Sequence, residues 1–342
     1  MMETKIWAVN EIEQAAKAIK RGSLVAFPTE TVYGLGADAF NEQAVGKVYA
    51  AKGRPSDNPL IVHVADAEQV EKYAMVDARA KKVMDAFWPG PLTIILPVVP
   101  GAISHTVTGG LETVASRMPD NDVTRTLIRM ADTPIVGPSA NTSGKPSPTT
   151  AQHVYHDLHG KIAGILDDGA TTIGVESTVI DLSVAQPAVL RPGKITPEQL
   201  EAVLGEPVDS EVHQVAASEA PKAPGMKYRH YAPDKDVYMV AREDWTQAII
   251  WAQGQLAPVG LMLPNDLIVE HQLAGMNFVW SLGNDDAEAA AKLFAGLRYF
   301  DDRDDIATIL VAELAHTSAN AAYNNRLGKS SSGQKFNVTD FM

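Results

Sequence analysis

The sequence predicts an α/β protein built from two domains, and three observations carry that expectation. Short runs of β-branched and apolar residues alternate with stretches of helical periodicity, the pattern of helices layered on a sheet. The chain has 342 residues, of which 45% are hydrophobic, enough to bury more than one core. Composition shifts near Asp209, where a run rich in Ala and Pro precedes a second series of strand and helix patterns. We read residues 1–208 as the first domain, 209–235 as a linker or lid, and 236–342 as the second domain.

Each element has a local reason. Glu11 to Arg21 sets Ile12, Ala15, Ala16 and Ile19 on one helical face and stops at Gly22. Ser23 to Phe27 follows as a buried strand, running into a tight, hydroxyl-lined glycine turn at Gly34 to Gly36. Asn41 caps a helix that ends near Lys52. Leu60 to Val64 is a strand, and Asp77 to Phe87 a helix closed by the W-P-G-P run from Trp88 to Pro91. Leu92 to Leu96 and Val114 to Arg117 read as strands, and Asp122 to Met130 as a helix. Ile135 and Val136 lead into the loop G-P-S-A-N-T-S-G, Gly137 to Gly144. Strands are expected at Ile162 to Leu166, Val175 to Leu182 and Ala188 to Leu190, and a helix at Thr196 to Leu204. Several strands follow strands directly, so the sheet is expected to be mixed and twisted. Beyond the linker, strands are expected at Val237 to Val240, Val259 to Leu263 and Phe278 to Trp280. Helices at Trp245 to Gln253, Ala287 to Phe300 and Ser318 to Leu327 complete a small Rossmann-like, doubly wound pattern.

Composition excludes several function classes. Net charge is −13, which argues against broad non-specific binding of nucleic acid. There is no cysteine, so disulfides, zinc–thiolate sites and thiol nucleophiles are excluded. The N-terminus lacks a basic region followed by an apolar run, and Pro97 breaks the longest apolar stretch, Leu92 to Val99. A soluble, cytoplasmic protein with no membrane contact is expected.

The chemistry concentrates in two stretches, F-P-T-E-T-V-Y-G-L-G from Phe27 to Gly36 and K-G-R-P-S-D-N-P-L from Lys52 to Leu60. Lys52 and Arg54, two positions apart and facing a hydroxyl-rich turn, suit an anion such as a polyphosphate. Ser139 and Asn141 put two polar tips on one side of an extended segment, which suits ligand hydrogen bonding better than acyl-enzyme chemistry. Arg117 ends a strand before a proline, placed either to clamp a carboxylate or phosphate or to form a structural ion pair. Arg191, in L-R-P-G, has the same two readings. His63, alternating with Val62 and Val64, is by itself an ordinary strand histidine. His153, His156 and His159 recur at steps of three, each roughly 60° short of a turn, so a solvated helix face outranks a metal site. The acidic run Asp301 to Asp305 reads as an exposed helix end or turn.

Together these residues closely resemble the YrdC-like family of L-threonylcarbamoyladenylate synthases in its long, two-domain form, over essentially the whole chain. The motif F-P-T-E-T-V-Y-G-L-G, the pair Lys52/Arg54 and the pair Ser139/Asn141 are specific in combination, and P-G-M-K-Y-R-H-Y-A-P, Pro224 to Pro233, marks the long form. The resemblance implies an open basic cavity. It implies a reaction of ATP, bicarbonate and L-threonine, with Mg²⁺, on the route to threonylcarbamoyladenosine (t6A) at position 37 of tRNA. The product would pass to the tRNA threonylcarbamoyl transferase machinery. Matched residue by residue, Lys52, Arg54, Asn58, Ser139, Asn141, Thr149 and Arg191 would hold the nucleotide, with Thr113 a weaker candidate. Thr31, His63, Arg117 and Ser177 would hold threonine, with Arg117 on its carboxylate. The linker would fold over the cavity and bring Arg229 or Tyr231 to the nucleotide. Many members continue past the clamp arginine with His-Pro where this chain has Asn121 and Asp122, which unsettles the start of the next helix. One rival is an RNA-binding module of the same fold. Another is a carbamoyl-transfer domain of hydrogenase maturation, whose zinc-finger segments a chain without cysteine cannot supply.

Overall fold

The structure is a computed structural model and describes residues 3–210, 221–222 and 230–337. It divides into two compact units: Met1–Ser143, Pro148–Thr172 and Glu176–Tyr228 form the first, and Gly144–Ser147, Ile173–Val175 and Arg229–Met342 the second. Most of the expected linker, Arg229 included, lies outside the described residues.

The first unit opens with β1 (Lys5–Ala8), α1 (Ile12–Lys20), β2 (Val25–Phe27), β3 (Gly34–Asp38), α2 (Glu42–Lys52) and β4 (Ile61–His63). It continues with α3 (Ala78–Phe87), β5 (Leu92–Pro97), α4 (His105–Thr108), β6 (Thr113–Arg117), α5 (Asp122–Ala131) and β7 (Ile135–Val136). It closes with α6 (Ala151–Leu158), β8 (Gly164–Asp167), β9 (Thr178–Asp181), β10 (Ala188–Arg191) and α7 (Pro197–Leu204). The strands form one sheet in the order β1-β8-β2-β3-β7-β4-β6-β5-β9-β10. It is mixed, as expected: β4 runs parallel to β6, while β7 runs antiparallel to both β3 and β4.

Local chemistry fixes the helix ends. The Asn41 side chain accepts from the Ala44 amide at 3.0 Å, and α2 stops at Gly53, whose φ of 64° suits glycine. Thr196 caps α7 with Pro197 at the first helical position. Asn121 caps α5, accepting from the Thr124 amide at 2.8 Å. The departure from His-Pro at this point therefore supplies its own helix start.

Three sequence expectations change. Gly34 to Gly36 is not a turn but the first part of β3, paired antiparallel to β2 through Phe27↔Gly34. A side chain at Gly34 would meet the Phe27 ring, with a Cβ only 2.5 Å from Cζ, so glycine here serves close packing rather than turning. Val175 to Ser177 precedes the strand that begins at Thr178. β1 was not anticipated: its Lys5–Ala8 pattern buries only Trp7, too little apolar alternation to mark a strand.

The second unit contains β11 (Asp236–Val240), α8 (Trp245–Gln253), β12 (Gly260–Leu263), α9 (Asn265–Glu270), β13 (Val279–Ser281), α10 (Asp286–Asp301), β14 (Thr308–Ala312) and α11 (Ala321–Ser330). Its sheet is all parallel, in the order β11-β14-β12-β13. The central strand β14 escaped the sequence reading, although Ile309, Leu310, Val311 and Ala312 are all buried. Tyr231 belongs to this unit. Its buried ring lies 5.3 Å from that of Phe294, with the Arg326 guanidinium 5.6 Å away, and its carbonyl accepts from Ser330 Oγ at 2.8 Å.

Candidate active site

The site is assembled where four chain segments converge in the first unit: the stretch after β2, the loop from α2 to β4, the loop after β7, and the start of β9. Hydrogen bonds tie the first and third together. Leu35 N donates to Pro138 O at 2.7 Å, Ala140 N to Tyr33 O at 2.8 Å and Tyr33 N to Pro148 O at 2.9 Å.

Lys52, at the end of α2, does not face the Thr29–Thr31 turn as its spacing suggested. Its ammonium reaches the loop after β7, donating to the carbonyl of Ser139, to the carbonyl of Asn141 at 2.7 Å and to Asn141 Oδ1 at 3.3 Å. Ser139 Oγ donates to Asn141 Oδ1 at 2.5 Å, and Ser143 N returns a bond to the Lys52 carbonyl at 2.9 Å. One buried cation therefore braces the whole loop. Arg54 does the same for the turn entering β4, donating to Asn58 O at 3.3 Å and Pro59 O at 3.0 Å. The Asn58 side-chain oxygen is buried with no hydrogen-bond partner among the described residues. Extending the register Ile61↔Ala115 by two residues brings Thr113 level with Pro59, so Thr113 belongs to this end. Thr149 is buried, and its amide donates to His153 Nδ1 at 3.3 Å.

At the other end of β4 and β6 the register pairs His63 with Arg117. Both are buried. Arg117 Nε donates to Gly90 O at 3.2 Å and Nη1 to Thr31 Oγ1 at 2.8 Å. Its Nη2 stands 2.5 Å from Glu30 Oε2, an ion pair without hydrogen-bond alignment. The turn itself is held by Thr29, whose hydroxyl bonds Thr31 Oγ1 at 2.9 Å and Val32 O at 2.6 Å. Burial, with the adjacent Arg117 charge adding to it, pushes the His63 pKa down to about 3, so the ring is neutral at pH 7. Gly137 is required beside it, because a Cβ there would lie 2.6 Å from His63 Nδ1.

Ser177 stands at the Arg117 end, because the β5–β6 register sets Thr93 level with Arg117 and the β9–β10 and β5–β9 registers set Arg191 level with Thr93. Its hydroxyl bonds Thr93 Oγ1 at 2.8 Å and accepts from Arg191 at 3.1 Å, and Arg191 Nε donates to the Ser177 carbonyl at 3.1 Å.

Lys52, Arg54, Asn58, Thr113, Ser139 and Asn141 thus gather about the start of β4, and Thr31, His63 and Arg117 at its end with Ser177 and Arg191, while Thr149 is tied to His153. Sequence reasoning passed over Glu30 and Thr93, and read His153 only as part of a solvated helix face. Glu30 was legible as a carboxylate inside an otherwise apolar and hydroxyl-bearing motif; Thr93 carried no separate signal. The three histidines diverge: His153 turns to Thr149, His156 to Asp157, and His159 to the Tyr155 carbonyl. No group of three His, Asp or Glu among the described residues could hold a metal. Nor is any helix among them long and apolar enough to cross a membrane.

Comparison with known proteins identifies the family. A family model described as "Telomere recombination", covering Sua5, YciO and YrdC, matches residues 17–193. A second, described as "Threonylcarbamoyl-AMP synthase, C-terminal domain", matches residues 195–332. Curated relatives named threonylcarbamoyl-AMP synthase include one from Bacillus subtilis, 45% identical over 97% of this chain and 99% of its own length. Another, from Pyrococcus abyssi, is 44% identical over 94% of both chains. The crystal structure of P. abyssi Sua5 complexed with L-threonine superposes with a TM-score of 0.86 at 41% identity, covering 98% of this chain and 100% of that one. The chain belongs to the two-domain Sua5/YrdC family of threonylcarbamoyl-AMP synthases, and it is an enzyme of the nucleotidyl-transfer type.

Proposed function

We propose that the two ends of β4 divide one reaction between them: the chain makes threonylcarbamoyl-AMP and pyrophosphate from L-threonine, bicarbonate and ATP. The observation that carries this division is the layout itself. A braced loop rich in nucleotide-type donors lies at one end, and a buried arginine with a neutral histidine at the other. Lys52, Arg54, Asn58, Thr113, Ser139, Asn141 and Thr149 take the nucleotide, and Arg191, bonded to Ser177, would reach it from the threonine end. Thr31, His63, Arg117 and Ser177 take threonine, with Arg117 on its carboxylate. Family resemblance alone adds Arg229 and Tyr231 to the nucleotide set.

The chemistry needs no nucleophile from the protein. The threonine amine adds to bicarbonate and releases water, giving a carbamate. A carbamate oxygen then forms a bond to the α-phosphorus of ATP, and the bond to pyrophosphate breaks. What the chain supplies is alignment and positive charge near the phosphates. Neutral His63 serves as a hydrogen-bonding group, not as a second cation. Mg²⁺ would arrive on the phosphates of the nucleotide. That fits a cation that keeps its waters and asks for few protein ligands. The product, a reactive mixed anhydride, would be consumed by a tRNA threonylcarbamoyl transferase in t6A synthesis.

The test is pyrophosphate release with each substrate omitted in turn. Release should require ATP, bicarbonate and L-threonine together. Equal release without threonine would remove the assignment.

A further inference from the structure

We propose that Glu30 binds the α-ammonium group of the amino acid substrate, so that Glu30 and Arg117 together recognise a zwitterion. The inference rests on the reading of Arg117 as the carboxylate clamp and adds the group that completes it.

Four observations carry it. Glu30 is only 8% exposed, and among the described residues neither carboxylate oxygen receives a hydrogen bond. Oε2 is taken up by the ion pair with Arg117, and buried carboxylates are otherwise hydrogen-bonded, so Oε1 has acceptor capacity in reserve for a donor. Its sole ion-pair partner among the described residues is Arg117, at 2.5 Å, through a nitrogen that likewise lacks an aligned acceptor. Glu30 also neighbours Thr31, whose hydroxyl already holds the other end of the same guanidinium. Finally, the residues assigned to threonine are two hydroxyls, a neutral imidazole and a guanidinium. None of them can balance an ammonium. The other buried glutamate, Glu176, already has a contact of its own.

The electrostatics favour a pair. A zwitterion carries no net charge, and neither does Glu30 with Arg117. Exchanging the imperfect internal ion pair for two aligned ones buries no uncompensated charge. An arginine alone would leave the ammonium desolvated and unmatched. Glu30 would then select substrates by their amine, which Arg117 cannot do.

Calorimetric titration with two ligands tests this. One is L-threonine. The other is 2,3-dihydroxybutanoate, which keeps the carboxylate and replaces the ammonium by a hydroxyl. The wild type should bind threonine at least about tenfold more tightly, the scale of one charged hydrogen bond. Glu30→Gln should weaken threonine about tenfold or more and leave dihydroxybutanoate within twofold. Glu30→Asp should lose threonine affinity less than Glu30→Gln. Arg117→Lys should weaken both ligands, which separates failure of the clamp from failure of the ammonium site. Unchanged ATP affinity reports that each variant is folded; if Glu30→Gln loses it, Glu30→Asp is read alone and should still weaken threonine and not the hydroxy acid. Equal loss of both ligands in the Glu30 variants, or loss of neither, would overturn the proposal.

Discussion

Lys52 and Arg117 are both buried cations in one unit, yet their surroundings differ in kind. Lys52 is wrapped by main-chain and side-chain oxygens of a single loop. Around Arg117, several buried polar atoms have no hydrogen-bond partner among the described residues: both Glu30 oxygens, Arg117 Nη2 and His63 Nδ1. A satisfied network fixes a shape, whereas unsatisfied buried groups are costly unless a ligand completes them. On the proposed division, the Lys52 loop is a braced cradle with one acceptor, Asn58 Oδ1, left for a ligand, and the Arg117 end is a pocket with several such groups.

The largest expected effect breaks the cradle. Lys52→Ala strips a donor from the buried carbonyl of Asn141 and the half-buried one of Ser139, and a buried carbonyl left unsatisfied costs about 1–3 kcal/mol. Pyrophosphate release should fall about 100-fold or more, the scale of losing a preorganised electrostatic group. Melting temperature should fall as well, because the loss is structural. Arg117→Lys acts on the other end. A lysine cannot reproduce the planar fork, and threonine binding should weaken by about 1.5–3 kcal/mol, with ATP binding changed less and thermal stability lowered less than in Lys52→Ala.

Ser139→Ala is milder. It removes one hydroxyl that bonds Asn141 Oδ1 and leaves the lysine brace in place. A loss of about 1 kcal/mol in nucleotide binding is expected by calorimetry. A last effect, on the pH dependence of stability rather than on binding, concerns His63. Its folded pKa of about 3 lies below the unfolded value, so between roughly pH 6.5 and 3 the unfolded chain binds the extra proton. Stability should thus be lost as pH falls through that window. His63→Gln should flatten this part of the melting-temperature profile relative to wild type; a superimposable acid limb would show that the histidine is not buried as a neutral ring.

Much of this contrast was legible in the sequence. Asn41, Asp77 and Thr196 announced helix starts because capping is local chemistry. Lys52, Ser139 and Asn141 were marked as a set, but their contact spans almost ninety residues and no spacing rule reveals it. That is why the lysine was expected to face the threonine-rich turn. Gly34 and Gly36 misled for a related reason: glycine signals a turn locally, whereas here a ring from the neighbouring strand demands it. β14 was missed although its burial is complete at four of five positions, since a short apolar run after an acidic turn has no periodicity to separate strand from helix. Glu30 stood inside the strongest motif and drew no role, because only the fold shows a carboxylate buried against Arg117 without a hydrogen-bond donor.

The central claim is that the two ends of β4 serve different ligands. Crossed calorimetry tests it most directly, with ATP and L-threonine each titrated into Lys52→Ala and Arg117→Lys. The division predicts a crossed pattern, in which Lys52→Ala loses mainly ATP affinity and Arg117→Lys mainly threonine affinity. Equal loss of both ligands in both variants would contradict it.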